Sequence, residues 1–224
     1  MFGARSMKPF RRAGAAACAA ALAGCTSIAT TPMSDSLATQ LRGQDVAIVT
    51  LPPSTFAVVL THAVGLGPLG LPEMVAEGRR VLEADHIVDP ADAIATVLGD
   101  AIASRRGAIV LQPHATSPRD DPAAIVAAAP AGARYVLAVG TVSWGVGNLP
   151  LPRSNYFVSY VARARLIDVR THDVVAEAGC MQPSDGSEFN GPYAELRADD
   201  GRLLKAELAA RVDRCIPHIE RDLL

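Results

Sequence analysis

The chain has 224 residues, half of them hydrophobic and a fifth charged, with a mean hydropathy of +0.21. That is enough apolar material for one packed domain plus appendages, and it excludes wholesale disorder. A net charge of −2 supplies no basic field for a nucleic-acid backbone, and no apolar run reaches the ~20 residues that span a bilayer. Residues 1–24 read as a removable leader. Arg5, Lys8, Arg11 and Arg12 form a basic opening without an acid, and Ala13 to Ala23 is an Ala-dominated apolar stretch. Its length falls within the ~7–15 residues of a signal core and is too short to span. Met7-Lys8 makes a tidier start for such a leader than Met1.

Leu22-Ala23-Gly24-Cys25 follows directly and resembles the lipobox of bacterial lipoproteins. The resemblance implies cleavage before Cys25, lipid on its thiol and an acylated new amine. It makes Cys25 the lipid-attachment residue, with the membrane as first partner through that anchor. Thr26 stands where an Asp commonly retains such proteins at the inner membrane, so the expected location is the periplasmic face of the outer membrane. Without the leader, 17 basic residues face 23 acidic ones, a net charge of −6, so neither nucleic acid nor anionic lipid finds a polybasic patch. Of four Cys, Cys18 leaves with the leader and Cys25 carries lipid. Cys180 and Cys215 remain, and an oxidising compartment makes them a disulfide worth roughly 3–4 kcal/mol. No C-x-x-C and no ligand-spaced partner points to a metal or redox pair.

Residues 25–44 are Ser/Thr-rich and read as a flexible tether to a single domain over 45–224. DVAIVTL (45–51) is a buried strand stopped by Pro52-Pro53. Residues 54–71 are apolar and Gly-rich without a clean period. Pro72 to Ala84 reads as a helix. Asp89-Pro90 opens the best-signalled helix, with Asp89 as N-cap, Asp92 in the first turn, Arg105 and Arg106 in the last, and Gly107 as the stop. AIVLQ (108–112) is a second strand, and Asp121-Pro122 launches a short helix to about 129. Residues 134–146 form a third strand with an expected bulge at Gly140.

Asn155 to Val169 is a long strand. Tyr156, Val158, Tyr160, Ala162, Ala164 and Leu166 share one face, and Arg163 and Arg165 mark the other as wet towards its end. Arg170 to Asp173 is a hairpin turn into a fifth strand, Val174 to Met181. A final helix starts near Asp200, with Leu203, Leu204, Leu208, Val212, Cys215, Ile216 and Ile219 on one stripe, and Pro217 should kink or end it. The fold class is therefore α/β (α+β). One mixed sheet of about five strands has helix crossovers in its N-terminal part and an antiparallel meander in its C-terminal part, with helices packed on it.

Patterns that resemble chemistry are few. Gly65-Leu66-Gly67-Pro68-Leu69-Gly70 matches G-x-G-x-x-G. However, Pro68 removes an amide donor and no acid follows at a second strand end, so a tight packing turn is the better reading. Ser143 in GTVSWG misses the nucleophile-elbow spacing. His62, His86, His114, His172 and His218 are scattered without metal-ligand spacing. Glu73 with Glu77, and Asp120 with Asp121, read as solvated acids. Trp144, Tyr156 and Tyr160 flank the Pro-rich loop 147–154, which makes that loop a candidate aromatic contact rim, although packing within the meander explains them more simply. No catalytic residue, cofactor site or metal site is assigned.

VLEADHIVDPADAIATVLGDAI, YVLAVGTVSWGVG, RLIDVRTHDVVAEAGC and LAARVDRC together resemble a family of uncharacterised proteobacterial outer-membrane lipoproteins. More distantly, the layout of strand, helix, strand and a hairpin carrying RLIDVRT is similar to periplasmic assembly lipoproteins, namely the curli-secretion lipoprotein and the lipoprotein activator of penicillin-binding proteins. The resemblance implies a non-enzymatic, membrane-anchored protein that binds a protein or envelope component. A periplasmic hydrolase or small-ligand binder, its site assembled from distant residues, is the alternative.

Overall fold

Alternating strands and helices in the first half, and consecutive strands in the second, give one mixed sheet with helices packed on it, as expected from sequence; the structure adds that they occupy both faces. The computed structural model describes residues 28–148, 155–182, 189 and 191–224. In chain order the elements are α1 (Asp35–Gln40), β1 (Asp45–Thr50), β2 (Phe56–Val58), α2 (Thr61–Val64), a 3₁₀ turn (Gly67–Gly70), α3 (Leu71–Ala84), α4 (Ala91–Arg106), β3 (Ile109–Thr116), α5 (Pro122–Ala128), β4 (Tyr135–Asn148), β5 (Tyr156–Asp168), β6 (Val174–Gln182) and α6 (Tyr193–Leu223). The strand order is β3-β1-β4-β5-β6, with β2 beside the far part of β4. β3, β1 and β4 run parallel, and so do β2 and β4, because helices return the chain between them. β4, β5 and β6 are antiparallel neighbours.

The two crossovers use opposite faces. Val46 and Ile48 of β1 point into the large core beneath α4 and α6, with Ile94, Leu98, Leu204 and Ile219. Ala47 and Val49 point into a smaller core beneath α5, with Ile125, Val136 and Ile167. The period of two in β1 thus feeds both layers, which is why its sequence reads as a continuous apolar run.

Several expectations are corrected. The stretch 25–44 was expected as a tether, but from Thr31 onward it is packed. Thr31 exchanges both backbone hydrogen bonds with Glu177 of β6, at 2.7 and 2.8 Å. Ser34 Oγ then accepts from the Leu37 N–H at 3.2 Å to cap α1, and Leu37 and Leu41 are buried. Two leucines four residues apart are too sparse a signal within a Ser/Thr-rich segment. In 54–71, β2, α2 and the 3₁₀ turn are each too short to show a period. Gly78 seats α3 on β2, since a Cβ there would lie 2.0 Å from the Phe56 carbonyl oxygen. The β4 irregularity lies between Thr141 and Ser143 rather than at Gly140, whose lack of a side chain makes room for Leu51.

Arg165 is not on a wet face but 6% exposed, because Asp120 reaches back to it. The last helix breaks at Ala198–Gly201, where Asp199 and Asp200 adopt positive φ. It then runs through Pro217 to Leu223 instead of stopping. An interior Pro costs ~3 kcal/mol, but Ile219 and Leu223 beyond it are fully buried and return roughly 1.5–3 kcal/mol each. Cys180 and Cys215 form the expected disulfide, with Cα atoms 5.3 Å apart.

Candidate functional site

β1 stops at Thr50 and β3 at Thr116, whereas β4 continues to Asn148 with β2 alongside. The sheet therefore has a step at the carboxyl ends of its parallel strands. Thr50 Oγ1 and Thr116 Oγ1 lie 3.4 Å apart on the step. α3 and the start of α4 stand beside it, enclosing an open cleft of about 690 Å³. Its walls are mainly apolar, with Leu51, Phe56, Val75, Leu82, Ile87 and Val88 among them, and Arg79, Asp89 and Asp92 supply charge. Parallel sheets bind ligands outside the carboxyl ends of their strands, and this volume lies in the ~300–1,000 Å³ range of small-molecule sites.

Trp144 lines the cleft from β4. It meets Phe56 edge-to-face, with centroids 4.9 Å apart, and its Nε1 donates to the Ser54 carbonyl at 2.8 Å. Trp144, Tyr156 and Tyr160 are all buried, so the aromatic rim considered from sequence is not an exposed surface. Meander packing accounts for them.

Asp89 joins the cleft to the core. Its Oδ1 accepts from the Ala91 N–H at 3.0 Å, the capping role read from sequence, and from Thr141 Oγ1 on β4. Thr141 in turn lies 3.0 Å from the Tyr160 hydroxyl. With its own proton committed to Asp89, Thr141 must accept there and Tyr160 must donate. Asp89 Oδ2 is buried without a hydrogen-bond partner among the described residues. Burial raises the Asp89 pKa above the ordinary carboxylate value. The bonds from Thr141 and Ala91 oppose this, and nearby Asp92 adds to it. Burial likewise pushes the Tyr160 phenol up. The capping half was legible as Asp-Pro before a helical pattern, but the half reaching Thr141, 52 positions away, left no local signal.

A second polar group lies on the opposite sheet face. Asp120 pairs with both Arg163 and Arg165, and Arg163 also approaches Glu177 at 3.8 Å. The Arg165 pKa is lowered by burial first and by Arg163 second. Asp121 instead caps α5, accepting from the Ala124 N–H at 2.8 Å. Glu73 takes His62 Nε2 at 2.8 Å. Glu77 accepts from the Tyr193 hydroxyl at 2.8 Å, a phenol that burial pushes up to about 12. Asp85 receives Arg197 through two bonds at 2.6 and 3.1 Å. Of the acids read as solvated, Asp120 and Glu77 are therefore structural partners tying elements together.

The remaining sequence candidates lie apart from the cleft. Gly70 packs on the Ala63 backbone, where a Cβ would fall 2.1 Å from the Ala63 carbonyl oxygen. This is the tight turn expected of the Gly65–Gly70 stretch, and a four-residue helix rather than a strand end precedes it. Ser143 is an exposed strand residue. Among the described residues no three His, Cys, Asp or Glu gather to hold a metal, and no helix is long and apolar enough to cross a membrane. Cys25 lies outside the described residues.

No protein-family model matches the chain, and no curated protein matches it in sequence, so the family resemblance gains no support from either. Solved structures similar to it include a neuraminyllactose-binding hemagglutinin homolog from Helicobacter pylori, at 11% identity and TM-score 0.38, covering 82% of this chain and 89% of that one. A PelC dodecamer from Paraburkholderia phytofirmans matches at 17% identity and TM-score 0.35, covering 88% and 94%. Lipoprotein GNA1162 from Neisseria meningitidis matches at 12% identity and TM-score 0.23, covering 75% and 99%. With TM-scores below 0.5, none of these assigns a role to a residue of this chain.

Proposed function

We propose that this chain is a lipid-anchored protein of the outer membrane's periplasmic face, non-enzymatic, that binds an apolar part of an envelope protein or other envelope component. The cleft at the carboxyl ends of β1 and β3 carries the reading. It is open, and the described residues that line it are mainly apolar, a surface suited to binding an apolar group. The lipobox at Leu22 to Cys25 supports the anchor, and the Cys180–Cys215 bond fits an oxidising compartment.

Two measurements test it. Cys25→Ala should remain unprocessed or leave the membrane fraction, and wild-type protein found wholly soluble with an unmodified mature N-terminus refutes the anchor. A photo-crosslinker at Val88, 80% exposed at the cleft, should capture a discrete envelope component in native cells, and its failure to do so refutes the binding site. The cleft volume favours one second reading, a small-ligand protein. Trp144 is the only Trp in the chain, so saturable changes in its emission with a small amphiphile, without a crosslinked macromolecule, would select that reading.

A further inference from the structure

We propose that the carboxyl end of the sheet rests on the lipid bilayer, with the exposed apolar segment from Val64 to Leu71 seated in the membrane interface beside the anchor. The proposal rests on the lipid-anchor reading of Cys25. Two independent features of the fold converge on it.

The first is the direction in which the chain enters the domain. Thr31 pairs antiparallel with Glu177, and the Ile28 side chain covers Gly179, two positions further along β6. Traced backwards from Thr31 to Ile28, the chain therefore runs towards the Gln182 end of β6. β6 and β4 both run antiparallel to β5, so that end is also where β4 reaches Asn148 and β2 reaches Val58. Cys25 is three residues before Ile28. Three residues span at most about 11 Å at ~3.3–3.6 Å each, so a lipid on Cys25 would hold this end close to the membrane.

The second is the surface found there. The Val59 N–H donates to the Val146 carbonyl at 2.8 Å, and the chain then passes directly into α2 and the 3₁₀ turn. Val64, Leu66, Leu69 and Leu71 are each more than half exposed, with Leu69 at 82%. Residues 61–71 contain no Asp, Glu, Lys or Arg, so seating them desolvates no permanent charge. Four strand spacings of ~4.8 Å separate the Ile28–Thr31 stretch, on the outer edge of β6, from β2, a lateral offset of about 19 Å. At the other end of the sheet the hairpin turn is Arg170-Thr171-His172-Asp173, and Arg134 forks onto Asp168. The contrast is local: residues 61–71 present an uncharged apolar surface, with Glu73 at its edge held by His62, whereas the turn at the far end carries charge. A four-residue apolar patch is small for binding alone, but a neighbouring lipid raises its effective concentration at the surface. Lipid is favoured over a protein partner because the patch continues the anchor's own attachment.

The test uses the full lipidated chain carrying Leu69→Cys, labelled with an environment-sensitive fluorophore. The variant is reconstituted in phosphatidylethanolamine–phosphatidylglycerol vesicles, and Thr171→Cys reports the far end. With Cys180 and Cys215 bonded and Cys25 lipidated, the introduced thiol is the one labelled. The Leu69 probe should be blue-shifted and quenched by lipids spin-labelled near the headgroup, while the Thr171 probe stays water-like and unquenched. A protein that floats with the vesicles while its Leu69 probe stays water-like keeps the anchor and overturns the docking. Failure to float overturns both. Burial of the probe in native envelopes but not in pure lipid vesicles indicates a protein partner and overturns the lipid assignment.

Discussion

Replacing both bonded cysteines, as Cys180→Ala/Cys215→Ala, is expected to lower stability by about 4 kcal/mol while leaving the native fold intact. The bond joins β6 to α6 across 35 positions. On the chain-entropy account, opening a loop of that size returns about 12–13 cal/mol/K to the unfolded chain, or about 3.8 kcal/mol at 25 °C. The folded side loses less. Both cysteines are buried, but α6 is also held by Leu204, Leu208, Val212, Ile219 and Leu223 in the main core. The helix should therefore stay docked. Urea unfolding of the oxidised wild type and the double variant, followed by far-UV circular dichroism, measures the difference. The variant should also show a steeper denaturant dependence, because its unfolded state exposes more surface once the cross-link is gone. A loss below about 1 kcal/mol, or two reactive thiols in native wild-type protein, would refute the entropic reasoning. A missing helical signal in the folded variant would instead refute the claim that packing alone keeps α6 in place.

Asp89→Asn tests the buried carboxyl. Its folded-state pKa is raised, so the contribution of Asp89 to stability is fully present below the ordinary aspartate value and is lost as pH rises through the raised one. The Asn variant should be flatter across that window in thermal melts, and parallel pH profiles would show that Asp89 is not the group responsible. Asp120→Ala strips the partner from Arg165, which is 6% exposed. Because Asp120 itself is half exposed, the cost should be about 2 kcal/mol, below that of a fully buried pair. Urea midpoints unchanged from wild type would mean that Arg165 is satisfied otherwise.

The sequence by itself determined the elements that carry their own punctuation. Asp89-Pro90 and Gly107 bracket α4, Asp121-Pro122 starts α5, and alternation along Tyr156–Asp168 fixes which face of β5 is buried. These signals are legible because caps, fixed φ angles and side-chain periods act within a few residues. The Cys180–Cys215 pairing was equally legible, since elimination left only two thiols in the domain. Tertiary structure decided the rest. It packed Leu37 and Leu41, from a stretch that reads as a tether, into the main core. It also buried Arg165 by bringing Asp120 across 45 positions, and carried α6 past Pro217 because Ile219 and Leu223 had a core to enter. The cleft is the clearest case. Thr50, Asp89, Thr116 and Trp144 come from four separate segments and meet only because β1 and β3 end where β4 continues. A step between strands is a property of their register, and register is set by how whole elements bury their faces against one another rather than by any residue's neighbours in the chain.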